Sequence, residues 1–360
     1  MRTISKSTLF KDQSFYIGID YHKKSWKVTI LGEQYEHKTM SQNPDPDLLA
    51  AYLKRNFPGG NYHAVYEAGF SGFSSCRRLS ELGVECMVIH PADVPTTQKE
   101  KLQKTDKVDS RKLARCLRSK EFEGVDIPEV EMEADRALIR QRFRMVKDLG
   151  RTKNRVKSLL FQFGKKIPDR FTASQSRHWS KIYINWLKDL SLIDMSLRQV
   201  LDNYIRIGEI QRKELLLINR QVRALSEKNR HKTNFSLLVG VPGIGLITGM
   251  TFLAQIGDIK RFNRIDDLCN YVGLVPRMYG SGEMMKTGKM VKRGRKELKI
   301  MLIEAAWVAI RKDPALMLKF NELSQRMNKN KAIIRIARKI LNRIRHVLTT
   351  QKQYVLGVIE

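Results

Sequence analysis

At 360 residues the chain is long enough for two or three ordinary domains, and with 42% hydrophobic and 8% aromatic residues it is not a disordered polymer. Lysine and arginine number 67 against 37 acidic residues, a formal charge of +30 at pH 7. Self-repulsion of that size is relieved by a polyanion, which points to nucleic acid, with an anionic membrane surface as the weaker alternative. No apolar run is long enough to span a bilayer, and the start, Met1 to Lys6, has no apolar signal region. Cys76, Cys86, Cys116 and Cys269 form no C-x-x-C pair, so a zinc ribbon is not expected. These features predict a cytoplasmic, nucleoid-associated protein with reduced thiols and no membrane partner.

Residues 14–125 read as an α/β domain. Ser14–Ile19 is a short strand ending at Asp20. Trp26, Val28 and Ile30 alternate with Lys27 and Thr29 as a half-buried strand, and Gly32-Glu33 turns the chain into a third, Tyr35–Met40. Leu48, Leu49, Tyr52 and Leu53 have helical spacing. His63–Tyr66 is a fourth strand, followed by Glu67-Ala68-Gly69. Phe73–Leu82 is helical, Val84–Ile89 a fifth strand and Asp106–Leu117 a final helix. Three hairpin-linked strands followed by βα units is the arrangement of the RNase H-like fold. A dinucleotide fold would alternate strand and helix from the start and carry a glycine-rich fingerprint after its first strand.

Residues 130–230 read as a helical arm. Leu138, Met145, Leu149, Val156, Leu159 and Phe163 recur at helical spacing, as do Leu197, Leu201, Tyr204, Leu215, Ile218, Val222 and Leu225, although this second seam skips Gly208 and Gln211. The pair fits an antiparallel coiled coil or dimerisation arm, or equally two helices of a bundle. Pro168 opens a polar stretch between them that reads as a loop.

Residues 235–350 form a mainly helical C-terminal domain. Val241-Pro242-Gly243-Ile244-Gly245 before the helical run Leu246–Ile256 has the look of a helix-hairpin-helix element, whose glycine turn and helix N-terminus hold a DNA phosphate; a plain glycine turn between packed helices is the alternative. A loop region after Asn270 carries glycines at 273, 280, 282, 288 and 294. Basic amphipathic helices over 295–312 and 331–348 follow, with Ile333, Ile336, Ile340 and Ile344 facing a core and Arg335, Lys339 and Arg343 facing solvent or nucleic acid.

Four acids stand where this topology brings them together. Asp20 ends the first strand and Glu67 the fourth, and these strands are expected neighbours. Asp106 and Asp109 open the last helix of the domain at i and i+3. Clustered carboxylates repel unless a cation neutralises them, and oxygen ligands suit Mg²⁺ or Mn²⁺. Two such ions about 4 Å apart activate an attacking oxygen and stabilise a leaving one in phosphodiester cleavage. Taken singly, each acid is more often a turn residue or a helix cap, and it is the combination of two strand ends with a helix start that points to a metal site. Lys104, Lys107 and Arg111 beside them meet a phosphate backbone or form a solvated face.

The segments Tyr16-Ile17-Gly18-Ile19-Asp20, Tyr66-Glu67-Ala68-Gly69 and Lys104-Thr105-Asp106-Lys107-Val108-Asp109 lie in the first part of the chain. Pro242-Gly243-Ile244-Gly245, Tyr271-Val272-Gly273-Leu274-Val275-Pro276, Ser281-Gly282, Gly288 and Lys292-Arg293-Gly294 follow in the last. In that order they resemble the insertion-sequence-110 family of bacterial transposases, the DEDD transposases. Ser110 stands where that family often has alanine, and Gly280 where another serine is common. The resemblance implies a RuvC-like, RNase H-like domain, a coiled-coil arm and a C-terminal transposase domain. It implies Mg²⁺ at Asp20, Glu67, Asp106 and Asp109, a catalytic serine at Ser281, and assembly as a homodimer or homotetramer. Studied members use a structured RNA encoded by the element to choose target and donor DNA, so a guide RNA joins the element ends and target DNA among the expected partners.

Ser281 itself sits between Gly280 and Gly282, where a backbone can approach a ligand closely, although a serine in such a place is commonly a turn residue. Lys286, Lys289, Lys292, Arg293 and Arg295 follow as candidate phosphate contacts. The expected activity is Mg²⁺-dependent cleavage and rejoining of DNA strands by a composite metal–serine site. The alternatives are a metal-dependent junction nuclease that uses the acids without the serine, a site-specific invertase of the same family, and a non-enzymatic nucleic-acid-binding protein.

Overall fold

The computed structural model describes residues 10–95, 106–121, 123–172, 179–281 and 284–357. The chain divides into two compact units, Met1–Ile127 and Pro128–Glu360. The expected arm and the expected C-terminal segment both belong to the second.

In the first unit, strands β1 (Ser14–Tyr21), β2 (Trp26–Leu31) and β3 (Glu36–Gln42) form an antiparallel meander. Helix α1 (Pro46–Asn56) then leads to β4 (Asn61–Glu67), and α2 (Ser74–Glu81) to β5 (Glu85–Ile89). β4 and β5 pair parallel, and β4 lies parallel to β1, giving the sheet order β3-β2-β1-β4-β5. The fold is mixed α/β with a five-stranded sheet, as the order of periodic segments predicts. Side chains alternate across it. Phe15, Ile17, Ile19, Val28, Ile30, Ala64 and Tyr66 face a core completed by Leu49, Leu53 and Leu79 of α1 and α2. The opposite face is covered by α3 (Asp106–Arg118), whose Leu113 meets Val65, Ile89 and Val94.

This second covering layer corrects one expectation. β2 is not half-buried: Thr29 is fully enclosed, because α3 lies over it. Its hydroxyl is satisfied by Ser110 and Thr39, each at 2.9 Å. Ser110 thus joins helix to sheet through a buried hydrogen bond, an interaction that alanine there could not make.

The second unit begins with the long helix α4 (Val130–Gln162). After the short α5 (Asp169–Thr172) and α6 (Lys181–Asp189), α7 (Met195–Ser226) runs antiparallel along α4, with Arg142 donating to Asn219 near one end and Val156 and Leu160 meeting Leu201 and Ile205 near the other. The seam differs in detail from the sequence pattern. Ile139 and Leu160 are buried rather than Leu138 and Leu159, and Phe163 is exposed. The stretch expected as a polar loop contains an apolar cap instead, with Phe171, Trp179, Tyr183, Ile184 and Leu187 packed at the end of the helix pair. The skip at Gly208 has a physical reason here: a Cβ would fall 2.3 Å from the Trp179 ring, so the glycine makes room for the indole.

The remaining helices surround the unit's main core. They are α8 (Asn229–Val239), α9 (Leu246–Ile256), α10 (Ile265–Val272), α11 (Lys296–Ala309), α12 (Pro314–Arg326) and α13 (Lys329–Thr350). Ile139, Ile218, Val222 and Leu225 of the long helices share that core with Ile333, Ile336, Ile340 and Ile344, whose inward face was expected. The region after Asn270 is not a loop. Gly273 ends α10 in the left-handed region, and β6 (Pro276–Ser281) and β7 (Met284–Met290) then pair as an antiparallel ribbon. Helix α12 is an addition to the two basic helices expected. Its Pro314 stands at the first turn, where no amide donor is needed, and Asp313 caps it by accepting from the Ala315 and Leu316 amides. Arg343, expected on the outside, is turned inward, bound to the buried Asp313 carboxylate at 2.8 Å and to the Tyr354 hydroxyl.

A second buried carboxylate fixes the start of α4. Asp135 accepts from Arg230 at 2.7 and 2.8 Å and lies 2.7 Å from His231 Nε2, while neighbouring Arg136 donates to the Ala254 carbonyl at 2.6 Å. Burial pushes the Asp135 carboxyl up, but hydrogen bonds from Arg230 and His231 outweigh it and hold the group below its ordinary value. The unfolded chain therefore binds this proton at higher pH than the folded one. The stabilisation is complete above the ordinary carboxylate range and fades as pH falls through the folded value. Asp135→Asn should cost about 3–5 kcal/mol at pH 7, the scale of a broken buried pair, and progressively less on acidification, read from urea unfolding at a series of pH values.

Candidate active site

The acids of the first unit are gathered by one close approach. Gly18 lies in the middle of β1 on the α3 face. A Cβ there would stand 2.0 Å from the Ser110 carbonyl oxygen and 2.5 Å from the Ala114 amide nitrogen. Only glycine lets the helix backbone settle this near the strand. The period of two along a strand puts Asp20 on the same face as Gly18, and Glu67 on the same face as Val65. The parallel register Ile19↔Tyr66 sets Asp20 beside Glu67 where the two strands end. The first turn of α3 carries Asp106 and Asp109 over this edge.

Asp20 Oδ2, His22 Nε2 and Asp106 Oδ1 come together, with His22 Nε2 at 3.2 Å from the first carboxylate and 3.6 Å from the second. Ligand atoms of these three residues lie within 4.8 Å of one another, a donor set that suits a divalent cation. Asp20 is half-buried and the other two are exposed. Burial raises the Asp20 carboxyl above its ordinary value; contact with His22 lowers it, and Asp106 and Asp109 raise it further. A carboxylate raised by burial and by its acidic neighbours is one that a cation would relieve. Asp109 therefore stands close enough to act on Asp20 electrostatically, and both it and Glu67 are half-buried outside the 4.8 Å group.

His22 was absent from the sequence reading. Its signal was the Asp20-x-His22 spacing, which continues the strand's alternation and keeps both side chains on one face. Among the basic residues expected nearby, Lys107 is exposed, while Arg111 is paired with Glu36 of β3 at 2.7 Å. Lys104 lies outside the described residues.

In the second unit Ser281 ends β6, opposite Met284 in the ribbon register, and Gly282 lies outside the described residues. Lys286 and Lys289 belong to β7. The base of the ribbon is pinned where two glycine backbones cross. Gly273 has φ 85° and a Cβ there would meet the Arg293 carbonyl at 2.4 Å, and Gly294 has φ 106° with its Cβ position 2.7 Å from the Gly273 amide nitrogen. Lys292 and Arg293 are exposed beside this crossing. Arg295 is stacked on the Tyr271 ring at 4.9 Å and donates to the Tyr271 hydroxyl at 2.9 Å.

Gly243 and Gly245 lie in the turn between α8 and α9, where the pattern puts them. Gly243, at φ 85°, is needed because a Cβ would sit 2.3 Å from the Ala305 carbonyl of α11. Gly245 precedes the first turn of α9, with nothing near its Cβ position and its face exposed.

Comparison with known families matches both regions. A DEDD transposase model of the IS110 type, described as "Transposase", matches residues 17–164, and one described as "Transposase IS116/IS110/IS902 family" matches 236–321. The chain is 26% identical to the transposase for insertion sequence element IS1533 of Leptospira borgpetersenii, over 81% of this chain and 84% of that one. It is 25% identical to the transposase for insertion sequence element IS1111A of Coxiella burnetii, over 78% and 76%. A putative transposase of Sinorhizobium fredii, y4qE, is 29% identical over 67% of this chain and 57% of its own length.

A cation that binds only the folded state should raise the melting temperature, with about 2.7 kcal/mol of stabilisation at a hundredfold excess over Kd. Mg²⁺ or Mn²⁺ is expected to stabilise the wild type and to leave Asp20→Asn unmoved. Gly18→Ala, which forces α3 off the strand, should weaken the effect as well. A wild type indifferent to both ions in calorimetry would sink the metal assignment.

Proposed function

The chain belongs to the insertion-sequence-110 family of transposases, and from that premise we propose that it mobilises its element through a composite site in which a carboxylate centre and Ser281 act on one DNA phosphate. It is a DNA transposase, and the family implies use of a divalent metal. Mg²⁺ is the ion proposed. The observation that carries the reading is the gathering of Asp20, His22 and Asp106 at the open edge of the sheet, with Asp109 acting on the same carboxylate. The sheet order, with an antiparallel meander followed by parallel βα units, supports assigning the first unit to the RNase H-like, RuvC-like fold.

Asp20, Glu67, Asp106 and Asp109 would hold the metal, with His22 as a further ligand. The metal, when present, supplies Lewis-acid stabilisation of charge on the attacking and leaving oxygens. Ser281 Oγ forms a bond to phosphorus as a phosphorus–sugar oxygen bond breaks. The serine loses a proton and the departing sugar hydroxyl gains one, so the exchange conserves both the phosphodiester and the proton count. Rejoining is the same step reversed on a new strand. The carboxylates and Ser281 stand on different compact units, so the two halves are brought to one phosphate either within a chain or between two chains.

The partners proposed are the element ends, target DNA and an element-encoded guide RNA, drawn by the charge of +30. Lys107, Lys286, Lys289, Lys292 and Arg293 are the candidate phosphate contacts, with the Gly243–Gly245 turn before α9 as a helix-hairpin-helix-like phosphate site. A homodimer is proposed through α7. Besides its buried seam this helix exposes Val200, Ile207, Ile210 and Leu217, a second apolar stripe in heptad positions that suits the same stripe of another copy.

Incubating the protein with Mg²⁺, DNA carrying the element ends and RNA from cells bearing the element should give a covalent protein–DNA adduct on a denaturing gel. Ser281→Ala and Asp20→Asn should each abolish it. Cleaved DNA without an adduct, insensitive to Ser281→Ala, would replace this reading with that of a metal-dependent nuclease. For the dimer, Ile207→Glu with Ile210→Glu should halve the mass measured by light scattering, and an unchanged mass would remove α7 as the interface.

A further inference from the structure

The second unit contains a groove of which only one rim residue, Lys289, is among the phosphate contacts proposed above. Its volume is about 880 Å³, within the range of small-ligand sites. The floor is apolar, formed by Leu274, Val275, Met290, Met327 and Ile334. Leu274 is fully buried, and the others are half-buried with part of their surface turned to the groove.

The rim is cationic. Lys289 stands on the β7 side, and Lys331, Arg335, Arg338 and Lys339 on the α13 side. These α13 residues recur every three to four positions and therefore form one stripe, with rises of about 6 Å between residues four apart. Among the described residues that line the groove none is acidic. Arg338 is paired with Asp266 at 3.0 Å, outside the lining. Lys289, Lys331, Arg335 and Lys339 are exposed.

An apolar floor under a line of cations is matched by a ligand with the same division. A double helix presents phosphates but keeps its base faces stacked, so it would leave the floor uncovered. A strand with an unpaired base presents both phosphates and an apolar face. Methionines on the floor adapt to a flat ring without fixing its identity. We infer that this groove binds an unpaired segment of a nucleic-acid strand, with at least one unstacked base against Met290, Met327 and Ile334 and its flanking phosphates on Lys331, Arg335 and Lys339. The inference rests on the nucleic-acid reading above and on no part of the metal–serine chemistry. The strand comes either from opened DNA or from RNA, since both carry the recognised groups.

The test is equilibrium binding by the full chain in EDTA, where cleavage does not intervene, followed by fluorescence anisotropy. The probes are labelled oligo-dT and oligo-U of about 15 nucleotides, a DNA duplex of the same length, and an oligomer of that length whose nucleotides are all abasic. Arg335→Glu with Lys339→Glu should weaken single-strand binding by about tenfold or more, because two phosphate contacts become repulsive, and duplex binding by much less. Ile334→Trp, which fills the floor and leaves every charge in place, should weaken the dT or U strand similarly and leave the abasic oligomer unchanged. Loss confined to dT or confined to U supports the groove and names the source as DNA or RNA. Equal losses for strand and duplex, or a strand affinity indifferent to both variants, would overturn the inference and leave a general phosphate patch. Adduct formation needs cleavage and this assay does not, so either reading can fail while the other stands.

Discussion

The approach of α3 to Gly18 is the contact on which the candidate centre depends. Helix backbone rests on strand backbone with no side chain between them, and the Ser110 carbonyl occupies the place a Cβ would take. Buried alongside is the Thr29–Ser110 hydrogen bond, which fixes the helix laterally on the sheet. Asp106 and Asp109, at the start of that helix, are thereby held over the end of β1. Their repulsion with Asp20 is opposed by the packing of the whole helix, including Leu113 against Val65 and Ile89. A rigid layer can impose a cluster of like charges that isolated side chains would avoid, and that strain is what makes a cation favourable there.

The second unit uses the same device at two more crossings. Gly273 meets the backbone around Arg293 and Gly294 at the foot of the β6–β7 ribbon, and Gly243 meets Ala305 on α11. Each glycine has positive φ and admits a neighbouring main chain, so the motifs that carry the family resemblance are in large part positions of backbone contact. The buried carboxylates Asp135 and Asp313 serve a different purpose. Each binds an arginine from another helix and so fixes which helices meet, α4 with α8 and the start of α12 with α13. The cations left on the surface, including the α13 stripe, then face outward from a frame whose internal charges are already matched.

Much of this was legible because it depends on local periodicity. The strands and helices of the first unit fall within a few residues of their expected places, and so do the long helices α4 and α7. The misses share a cause. Thr29 alternates as an outward residue and is buried only because α3 arrives from far along the chain. Helix α12 was lost where Pro314 could equally end or begin a helix, and only the Asp313 cap distinguishes these. The ribbon bearing Ser281 is short and rich in glycine, with little alternation to mark it. Arg343 has the spacing of an exposed residue and is drawn inward by Asp313.

The sequence by itself determined the polyanion-seeking charge, the order of elements, the inward faces of the long helices, and the acids at strand ends and a helix start. These follow from composition and from the periods of 2 and 3.6, which are properties of neighbouring residues. Only the tertiary structure decided that His22 joins Asp20 and Asp106, that Arg111 and Arg295 have partners within their own unit, and that apolar floor and cationic stripe form one groove. Those are contacts between residues remote in the chain. Their geometry depends on how closely two backbones can approach, which a one-dimensional pattern does not contain.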